Sequence, residues 1–389
     1  MKKTLVALAV LGSFAGVASA ATSVTLYGTV DAGYEGWTFG KDASGWDNTF
    51  VQGGTSEKNS KIGVRGQEDL GNGLAAIFTL EGNLGADVGE TNAGQLFNRE
   101  TTVGLKGSFG EVKIGRAKSQ MELALGGIVP GHRVADVDLY SVALARHSNG
   151  LFYSYDNAGF SFGADVTTKG GAAGNSQSTF VDTVTGSSTG NGIMATFGAE
   201  GATGEKVGYG VRLGYAGQVG GGVTLLARAA YQNDGNVTAT PYALGVPGAS
   251  VVRKQREAGG LLAAVIPFSN NSLTVGVAYA QGKGFASDLA DAKLAAGRVY
   301  ADKARTLSAV VAGGFGSNDS AYVKYQQRKG TTAGATVYNG NVWAVGYEHN
   351  LSKRTSVYAD VAYATIKNTG GDYNKATATG YSVGVAHSF

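Results

Sequence analysis

The sequence predicts an all-β fold, a transmembrane antiparallel β-barrel of about 16 strands with an inward-folded loop. Three observations support this: an N-terminal export signal, strict alternation of apolar and polar residues, and connections that are alternately short and long. The composition agrees, because 63 glycines and 19 tyrosines accompany many β-branched residues, which disordered chains lack. The chain is therefore expected to form many short, regular strands.

The N-terminus has the organisation of a secretory signal peptide. Lys2 and Lys3 precede an apolar stretch from Leu5 to Val17, and Ala18-Ser19-Ala20 matches a signal-peptidase site. Residues 1–20 are therefore predicted to be cleaved, leaving residues 21–389 as a single barrel domain. A membrane anchor is the alternative, but the apolar stretch is too short and no stop-transfer pattern follows it.

The composition also argues against several classes of protein. The chain has no cysteine and only 4 histidines, so neither a disulfide framework nor structural zinc is expected, and no cofactor is indicated. Removing the two signal lysines from 32 basic residues leaves 30 against 29 acidic residues. This balance gives no reason to expect nucleic acid as a partner.

Alternation begins directly after the signal. Val24, Leu26 and Val30 fall on one face of a predicted strand, with Thr25 and Asp31 on the other. A period of two over this length indicates a strand with one apolar and one solvated face. The pattern recurs at Leu74–Leu80, Phe160–Val166, Val207–Tyr215, Val223–Tyr231, Leu273–Tyr279, Ala321–Tyr325, Trp343–Tyr347, Val357–Tyr363 and Tyr381–Val385.

Tight polar turns alternate with longer connections. The longer loops are predicted at residues 38–60, 84–97, 169–206, 233–255, 281–304, 329–340 and 367–377. A meander that makes one set of turns on each side of a membrane has this short–long order, and its strands are even in number. Ile193–Glu200 is placed inside a long loop, with an additional strand there left open.

The distribution of side chains favours a membrane barrel over a soluble β-sandwich. Tyrosines close the apolar faces near strand ends, as in the aromatic girdles of membrane barrels: Tyr34, Tyr215, Tyr231, Tyr279, Tyr325 and Tyr363. The opposite face carries Lys61, Arg65, Glu81, Asp165, Arg212, Arg228, Lys324 and Asp360. Burying so many charges without water would cost several kcal/mol each, so the interior is predicted to be wet.

Residues 117–146 form the most distinctive loop. Unlike the other long connections it is rich in large apolar residues, among them Met121, Leu123, Leu125 and Ile128. A long apolar loop must bury itself against another surface, and loops of this length are usually functional. It is therefore predicted to fold into the barrel and narrow it.

Four segments carry a resemblance to a known family: SVTLYGTVDAGYE, SKIGVRGQEDLGNGLAAIFTLEGN, NRETTVGLKGSFGEVKIGRA and GYSVGVAHSF. With them the mature chain resembles a trimeric Gram-negative general porin of the β-proteobacterial branch. The resemblance implies a homotrimer among outer-membrane lipid, a third external loop that constricts the pore, and a terminal Phe389 similar to the signal read by the assembly machinery. The enterobacterial Pro-Glu-Phe-Gly-Gly run is replaced by Val129-Pro130-Gly131-His132.

The resemblance also implies acidic loop residues opposite a ladder of basic residues. By position, the ladder is matched by Lys61, Arg99 and Arg146, and the loop acids by Glu122, Asp136 and Asp138. Strand parity directs Lys61 and Arg65 inward beside Ile62 and Val64, and directs Arg146 and Ser148 inward beside Leu151. The assignment of Arg99 to the ladder rests on the resemblance alone.

A field between opposed charges would orient polar solutes and bias ion traffic. Lys113, Arg212 and Arg228 are expected to extend the positive wall, and Arg133 to offset part of the loop's acid. The prediction is a mild preference for anions. For each charge the alternative is a solvated lumen residue without special effect.

Arg116 is predicted to face away from the lumen, because it shares the parity of Val112 and Ile114. A charge on the lipid face costs roughly 2–4 kcal/mol at the midplane, which a protein contact would remove. The resemblance places such an arginine at the subunit interface; alternatively, Arg116 lies above the lipid.

The sequence therefore predicts a passive outer-membrane diffusion channel for small hydrophilic solutes and ions, not an enzyme. The alternatives are a substrate-selective channel, a barrel hydrolase with a Ser–His pair, and an adhesin or structural barrel with a plugged lumen.

Overall fold

The computed structural model describes residues 22–39, 46–52, 60–86, 89, 96–127, 143, 145–168, 177–179, 192–196, 207–243, 246–247, 251–287, 300–368 and 375–389. The predicted signal peptide lies outside these ranges, as do Arg133, Asp136 and Asp138 of the predicted constriction loop. Within the described ranges, no helix has the length and apolarity to cross a membrane.

Sixteen long antiparallel strands form a closed barrel, as predicted. The first eight are β1 Ser23–Phe39, β3 Lys61–Gly71, β4 Leu74–Asn83, β5 Glu100–Gly107, β6 Gly110–Lys118, β7 Arg146–Asn157, β8 Phe160–Thr167 and β11 Tyr209–Gln218. The other eight are β12 Thr224–Ala243, β14 Val251–Phe268, β15 Asn271–Ser287, β16 Tyr300–Phe315, β17 Asp319–Thr332, β18 Ala335–Asn350, β19 Thr355–Asn368 and β20 Lys375–Ser388.

The barrel closes where the first strand pairs with the last. The β1–β20 register runs from Thr29↔Ser388 to Phe39↔Ala378. At its end the backbones of Gly28 and Phe389 exchange two hydrogen bonds of 3.1 and 3.2 Å. A Cβ at Gly28 would lie 2.5 Å from the Phe389 ring, so the terminal aromatic packs over a position where only glycine fits.

Four further short strands are not counted among the sixteen barrel strands: β2 Trp46–Gln52, β9 Gln177–Thr179, β10 Gly192–Thr196 and β13 Val246–Pro247. β10 answers the question left open for Ile193–Glu200, because residues 192–196 form a strand that pairs with the distal part of β12. This extra strand lengthens the wall and does not change the number of barrel strands.

The side chains are arranged inside out relative to a soluble protein. Outward-facing Val103 and Leu213 are 62% and 65% exposed, whereas inward-facing Lys324 and Asp360 are each 2% exposed. Tyrosine and tryptophan pair on the outer surface, with 4.7 Å between the ring centroids of Tyr325 and Trp343. The predicted apolar exterior and polar interior are confirmed.

The strands differ in length around the barrel. Strands β3 to β8 and β11 have 8 to 12 residues, whereas the eight long strands from β12 to β20 have 14 to 20. The predicted long loop at 329–340 is wrong. β17 and β18 continue to a tight turn at Ala333 and Gly334, whose φ values are 50° and 85°, and positive φ at both central residues suits a two-residue hairpin.

Candidate pore lining and inward loop

A short helix, α1 (Gln120–Leu125), begins the predicted constriction loop and packs inside the barrel. Ser119 caps it, since its side chain accepts a hydrogen bond from the backbone of Glu122. The apolar helix face, made of Met121, Ala124 and Leu125, is buried against inward-facing residues of β12, β14 and β15: Ala230, Leu261, Ala278 and Ala280. The loop therefore leaves β6 and enters the lumen toward these long strands.

Two glycines let the start of the helix approach the wall closely. A Cβ at Gly163 on β8 would lie 2.2 Å from Gln120 Oε1, and one at Gly210 on β11 would lie 3.1 Å from Gln120 Cγ. Gln120 is buried as a result. A side chain at either glycine would occupy space that the Gln120 side chain now fills, so Gln120 would have to move.

Polar contacts fix both ends of the described part of the loop. The backbone N–H of Met121 donates to Gln232 Oε1 at 3.2 Å, and that of Ala143 donates to Glu257 Oε2 at 2.6 Å. Arg228 donates to the carbonyl oxygens of Leu123 and Gly126 at 3.4 and 3.1 Å. Arg228, predicted as part of a positive wall, thus satisfies carbonyl groups at the end of the helix.

A buried polar cluster, here called the His147 cluster, lies beside the loop and consists of His147, Asp165, Gln232, Asp234 and Gln255. His147 Nδ1 lies 2.5 Å from Asp165 Oδ2, and its Nε2 lies 2.9 Å from Asp234 Oδ1. Gln232 and Gln255 donate to the two oxygens of Asp234 at 2.6 and 3.1 Å. Through Gln232 the cluster connects to the start of α1.

The cluster corrects the predicted parity of β7. Regular alternation from Leu151 directs Ser148 and Arg146 inward, but Asn149 has a φ of 50° and the β6–β7 register shifts between Gly115 and Ala117. The irregularity turns His147 toward Asp165 in the interior, and Ser148 accepts a hydrogen bond from Arg116. The parity argument for Arg146 was therefore wrong.

Arg146 nevertheless belongs to a group of cations, here called the cationic stack: Lys61, Arg99, Lys118 and Arg146. Arg99 donates to Asn83, which lies directly opposite Lys61, and Lys118 lies directly opposite Arg146. The charges of Arg99, Lys118, Arg146 and Glu81 all act on that of Lys61. Arg99 is buried and anchored, because its Nε donates to Glu81 Oε1 at 2.6 Å and its Nη1 donates to Asn83 Oδ1 at 3.0 Å. Lys61 and Lys118 remain partly exposed.

Tyr27 and Arg65 continue this wall. The Tyr27 hydroxyl donates to Glu81 Oε2 at 3.0 Å, and the Arg65 guanidinium lies 5.0 Å from the centroid of the Tyr27 ring. This stacking is a cation–π contact. Arg65 therefore shares the wall of Lys61, as strand parity predicts.

Two other predicted charges have partners close by. Lys113 Nζ lies 3.0 Å from Glu100 and 3.2 Å from Glu111, which balance its charge locally. Glu122 in the first turn of α1 pairs with Lys118 at 3.1 Å. Glu122 of the loop therefore pairs with Lys118, a member of the cationic stack that the sequence analysis did not name.

Arg116 stands in the outward row of β6, as predicted, because it pairs with Thr101 next to exposed Val103. Its guanidinium folds back, donating to the Asn98 carbonyl at 2.7 Å and to Ser148 Oγ at 2.6 Å. The charge is therefore partly shielded within its own chain.

Strands β17 and β19 hold inward tyrosines that the sequence analysis missed. Tyr322 donates to Asp360, and Tyr358 donates to Asp31 at 2.6 Å. These rings lie over glycines: a Cβ at Gly346 would be 2.4 Å from the Tyr322 ring, and one at Gly384 would be 2.3 Å from the Tyr358 hydroxyl. A tyrosine paired with a glycine on the neighbouring strand is the sequence signal that could have identified these inward rings. The two rings are nearly fully buried, so they give solutes little surface to stack on.

A closed barrel with an apolar exterior, a charged interior and a loop folded into its lumen defines a membrane channel. A family model described as Gram-negative porin matches residues 7–371. The chain therefore belongs to the Gram-negative porin family, and it is a channel of the outer membrane.

Curated relatives agree over the full length. The chain is 31% identical over 406 residues to Outer membrane porin protein 32 of Delftia acidovorans, covering 100% of both chains. It is 30% identical over 399 residues to Major outer membrane protein P.IB of Neisseria lactamica, again covering 100% of both. These β-proteobacterial relatives confirm the predicted branch.

Solved structures share the fold. The anion-selective porin from Comamonas acidovorans aligns with a TM-score of 0.59 and 23% identity, covering 95% of this chain and 100% of that one. In its trimer form, OmpT of Vibrio cholerae aligns with a TM-score of 0.56 and 16% identity, covering 95% and 100%.

Proposed function

We propose that the protein is a passive diffusion channel for small hydrophilic solutes and ions, narrowed by residues 117–146 and mildly selective for anions. The observation that carries the proposal is the cationic stack next to an inward helix. The four cations Lys61, Arg99, Lys118 and Arg146 lie near one another, and of these four Arg99 is hydrogen-bonded to Glu81. A lumen wall with excess positive charge raises the local concentration of anions.

The loop supplies the opposing face. Helix α1 is held against β12, β14 and β15, while Glu122 reaches Lys118 of the stack. Solutes would pass between the loop and the wall that carries Lys61 and Arg65. Arg133, Asp136 and Asp138 are proposed to complete the charges of the loop.

We further propose a homotrimer whose subunit contacts cover the barrel strands of 8 to 12 residues, β3 to β8 and β11. β5 has 8 residues, which at about 3.3 Å each and a tilt of about 40° rise only roughly 20 Å, less than the apolar band of about 25 Å. This side of the barrel is too short to face lipid alone, and Arg116 lies on it. The trimeric OmpT shares the fold, which agrees with this assembly.

Phe389 is proposed to serve as the signal for the outer-membrane assembly machinery. Its ring is exposed beside the closing seam, so it is accessible at the end of the last strand. Deleting Phe389 should reduce the amount of assembled barrel in the membrane; an unchanged amount would argue against this role.

Reconstitution of the purified protein in a planar bilayer tests the proposal. We expect stepwise conductance, steps that occur in groups of three, and a reversal potential of anion sign in a salt gradient. The absence of steps would refute the channel, single steps would refute the conducting trimer, and a cation-signed potential would refute the selectivity.

A further inference from the structure

A cavity of about 390 Å³ lies beside the short turn that joins β7 to β8. Its size is in the range of pockets that bind small molecules. The charged side chains that line it are Asp156, Arg212 and Arg228, and Ser161 lies among them. Leu226 adds apolar surface. The cavity therefore combines charges of both signs with an apolar patch.

The strand register explains why these side chains meet. Asp156 on β7 lies directly opposite Ser161 on β8, and Ser161 lies directly opposite Gly214 on β11. Gly214 in turn lies directly opposite Arg228 on β12. Arg212 is two residues from Gly214, so it belongs to the same inward face. One row across four neighbouring strands thus carries an acidic residue at one end and a basic residue at the other.

Gly214 keeps the middle of this row open. A Cβ at this position would clash with Ser161 Oγ and would lie 3.4 Å from Arg228 Cγ. Both side chains therefore reach over the glycine, where a larger residue would displace them. The space between the acidic and basic ends of the row depends on this glycine.

Arg212 has hydrogen-bond donors to spare. Its Nη1 donates to Ser161 Oγ at 3.0 Å, and its buried Nε has no acceptor among the described residues. A guanidinium has five N–H donors in a planar fork that matches the geometry of a carboxylate. Asp156 acts on Arg212 as a nearby charge and not as a hydrogen-bond partner. The cavity therefore separates a cation from an anion without joining them.

Arg228 is already engaged with the constriction loop. Its Nη1 donates to the carbonyl oxygens of Leu123 and Gly126 at the end of α1. It therefore adds positive charge to the cavity from a fixed position, while Arg212 keeps more of its donors available. These contacts also place the cavity next to the inward helix.

We propose that this cavity binds a small zwitterion of the α-amino-acid class. The carboxylate of the zwitterion would accept hydrogen bonds from Arg212, beside the charge of Arg228, and its ammonium group would face Asp156. A simple anion would meet the Asp156 carboxylate, and a simple cation would meet the two arginines. The arrangement therefore favours a molecule that carries both charges. Leu226 would contact an apolar side chain of the ligand.

The proposal rests on the water-filled lumen of the proposed channel, but not on its ion selectivity. Three related probes test it: L-leucine carries both charges, leucinamide lacks the carboxylate, and N-acetyl-leucine lacks the ammonium group. Each is titrated into detergent-solubilised protein at low ionic strength, and binding is followed by saturation-transfer difference NMR. Detergent micelles without protein give the background.

Four variants accompany the unmodified protein. R212Q and D156N each remove one charge from the cavity. The matched controls K106Q and E68Q each remove one exposed charge of the same sign near other short turns. Circular dichroism spectra typical of β-structure would show that every variant is folded.

We expect leucine to bind more tightly than either analogue. R212Q should weaken leucine binding about tenfold, because it removes a hydrogen-bonded charge. D156N should weaken it about threefold, because exposed ion pairs contribute less, and it should not weaken binding of N-acetyl-leucine. The two control variants should bind leucine like the unmodified protein.

Equal binding of leucine and N-acetyl-leucine would overturn the proposal, as would unchanged leucine binding by R212Q or the absence of leucine binding. Because binding is measured without a current, this result is separate from the bilayer experiment. Stepwise conductance without leucine binding would refute the amino-acid site alone, whereas the absence of steps would refute the channel.

Discussion

The His147 cluster and the cationic stack are both polar groups inside the barrel, yet they are built in opposite ways. The histidine is fully buried and lies between two carboxylates within 2.5 and 2.9 Å. The stack has two carboxylate partners, Glu81 and Glu122, for its four cations, and Lys118 keeps 43% of its side chain exposed. A buried cluster whose charges are paired can hold a loop in place, whereas a partly exposed cluster with more cations than carboxylates can act on passing ions.

The largest expected effect comes from breaking the compensated cluster. His147→Ala leaves Asp165 and Asp234 buried without the imidazole between them, and removing one partner of a buried pair costs about 3–5 kcal/mol. We expect the unfolding free energy, measured by urea titration in lipid vesicles, to fall by this amount. The open-channel current should also become noisy as the loop loses its anchor.

The matched control is His349→Ala. His349 also lies beside an aspartate, with its Nδ1 2.7 Å from Asp319 Oδ1. Here, however, the side chains of His349 and Asp319 are 37% and 34% exposed. Exposed pairs contribute at most about 1 kcal/mol. Equal destabilisation by the two substitutions would remove the distinction between buried and exposed clusters.

A middle-sized effect is expected where the helix touches the wall. Gly163→Ala puts a methyl group where Gln120 now lies, and overpacking costs typically 1–3 kcal/mol. Shortening Gln120 to Ala should restore the space. The double variant Q120A/G163A should therefore be more stable than the sum of the single changes predicts, as a double-mutant cycle of unfolding free energies would measure. Additive effects would show that the contact does not set the position of the helix.

The smallest effect in free energy concerns ion traffic. K61Q/R99Q/R146Q removes three positive charges from the stack, so the reversal potential in a salt gradient should move toward cations. Glu81→Gln should move it toward anions, because it removes the carboxylate that offsets Arg99. An unchanged potential in both variants would show that these charges do not control the pore.

Much of the fold follows from the sequence, because period-two alternation persists wherever one strand face meets lipid. Alternation fades where the strands continue beyond the membrane. Lys329, Thr331 and Asn339 read as loop residues, yet they belong to β17 and β18. Above the hydrocarbon layer both faces of a strand are solvated, so hydropathy no longer separates strand from loop.

The site was less predictable for a different reason. Lys61 and Arg65 lie in a row of β3 whose alternation is regular, so their shared wall could be predicted from parity. His147 lies two residues before the irregular position Asn149, and its partner Asp234 falls in a segment that was predicted to be a long loop. Contacts between such distant residues depend on strand register and bulges, which composition and periodicity do not specify.

Single-cysteine labelling tests the inside-out arrangement most directly, because the natural chain has no cysteine to interfere. Lys61→Cys would place a thiol on the proposed pore wall, and Val345→Cys would place one on the outer face, where Val345 is 55% exposed. A water-soluble, negatively charged thiol reagent should change the single-channel current at position 61 and leave position 345 unaffected. A current change at position 345 with none at position 61 would contradict the arrangement of the two faces.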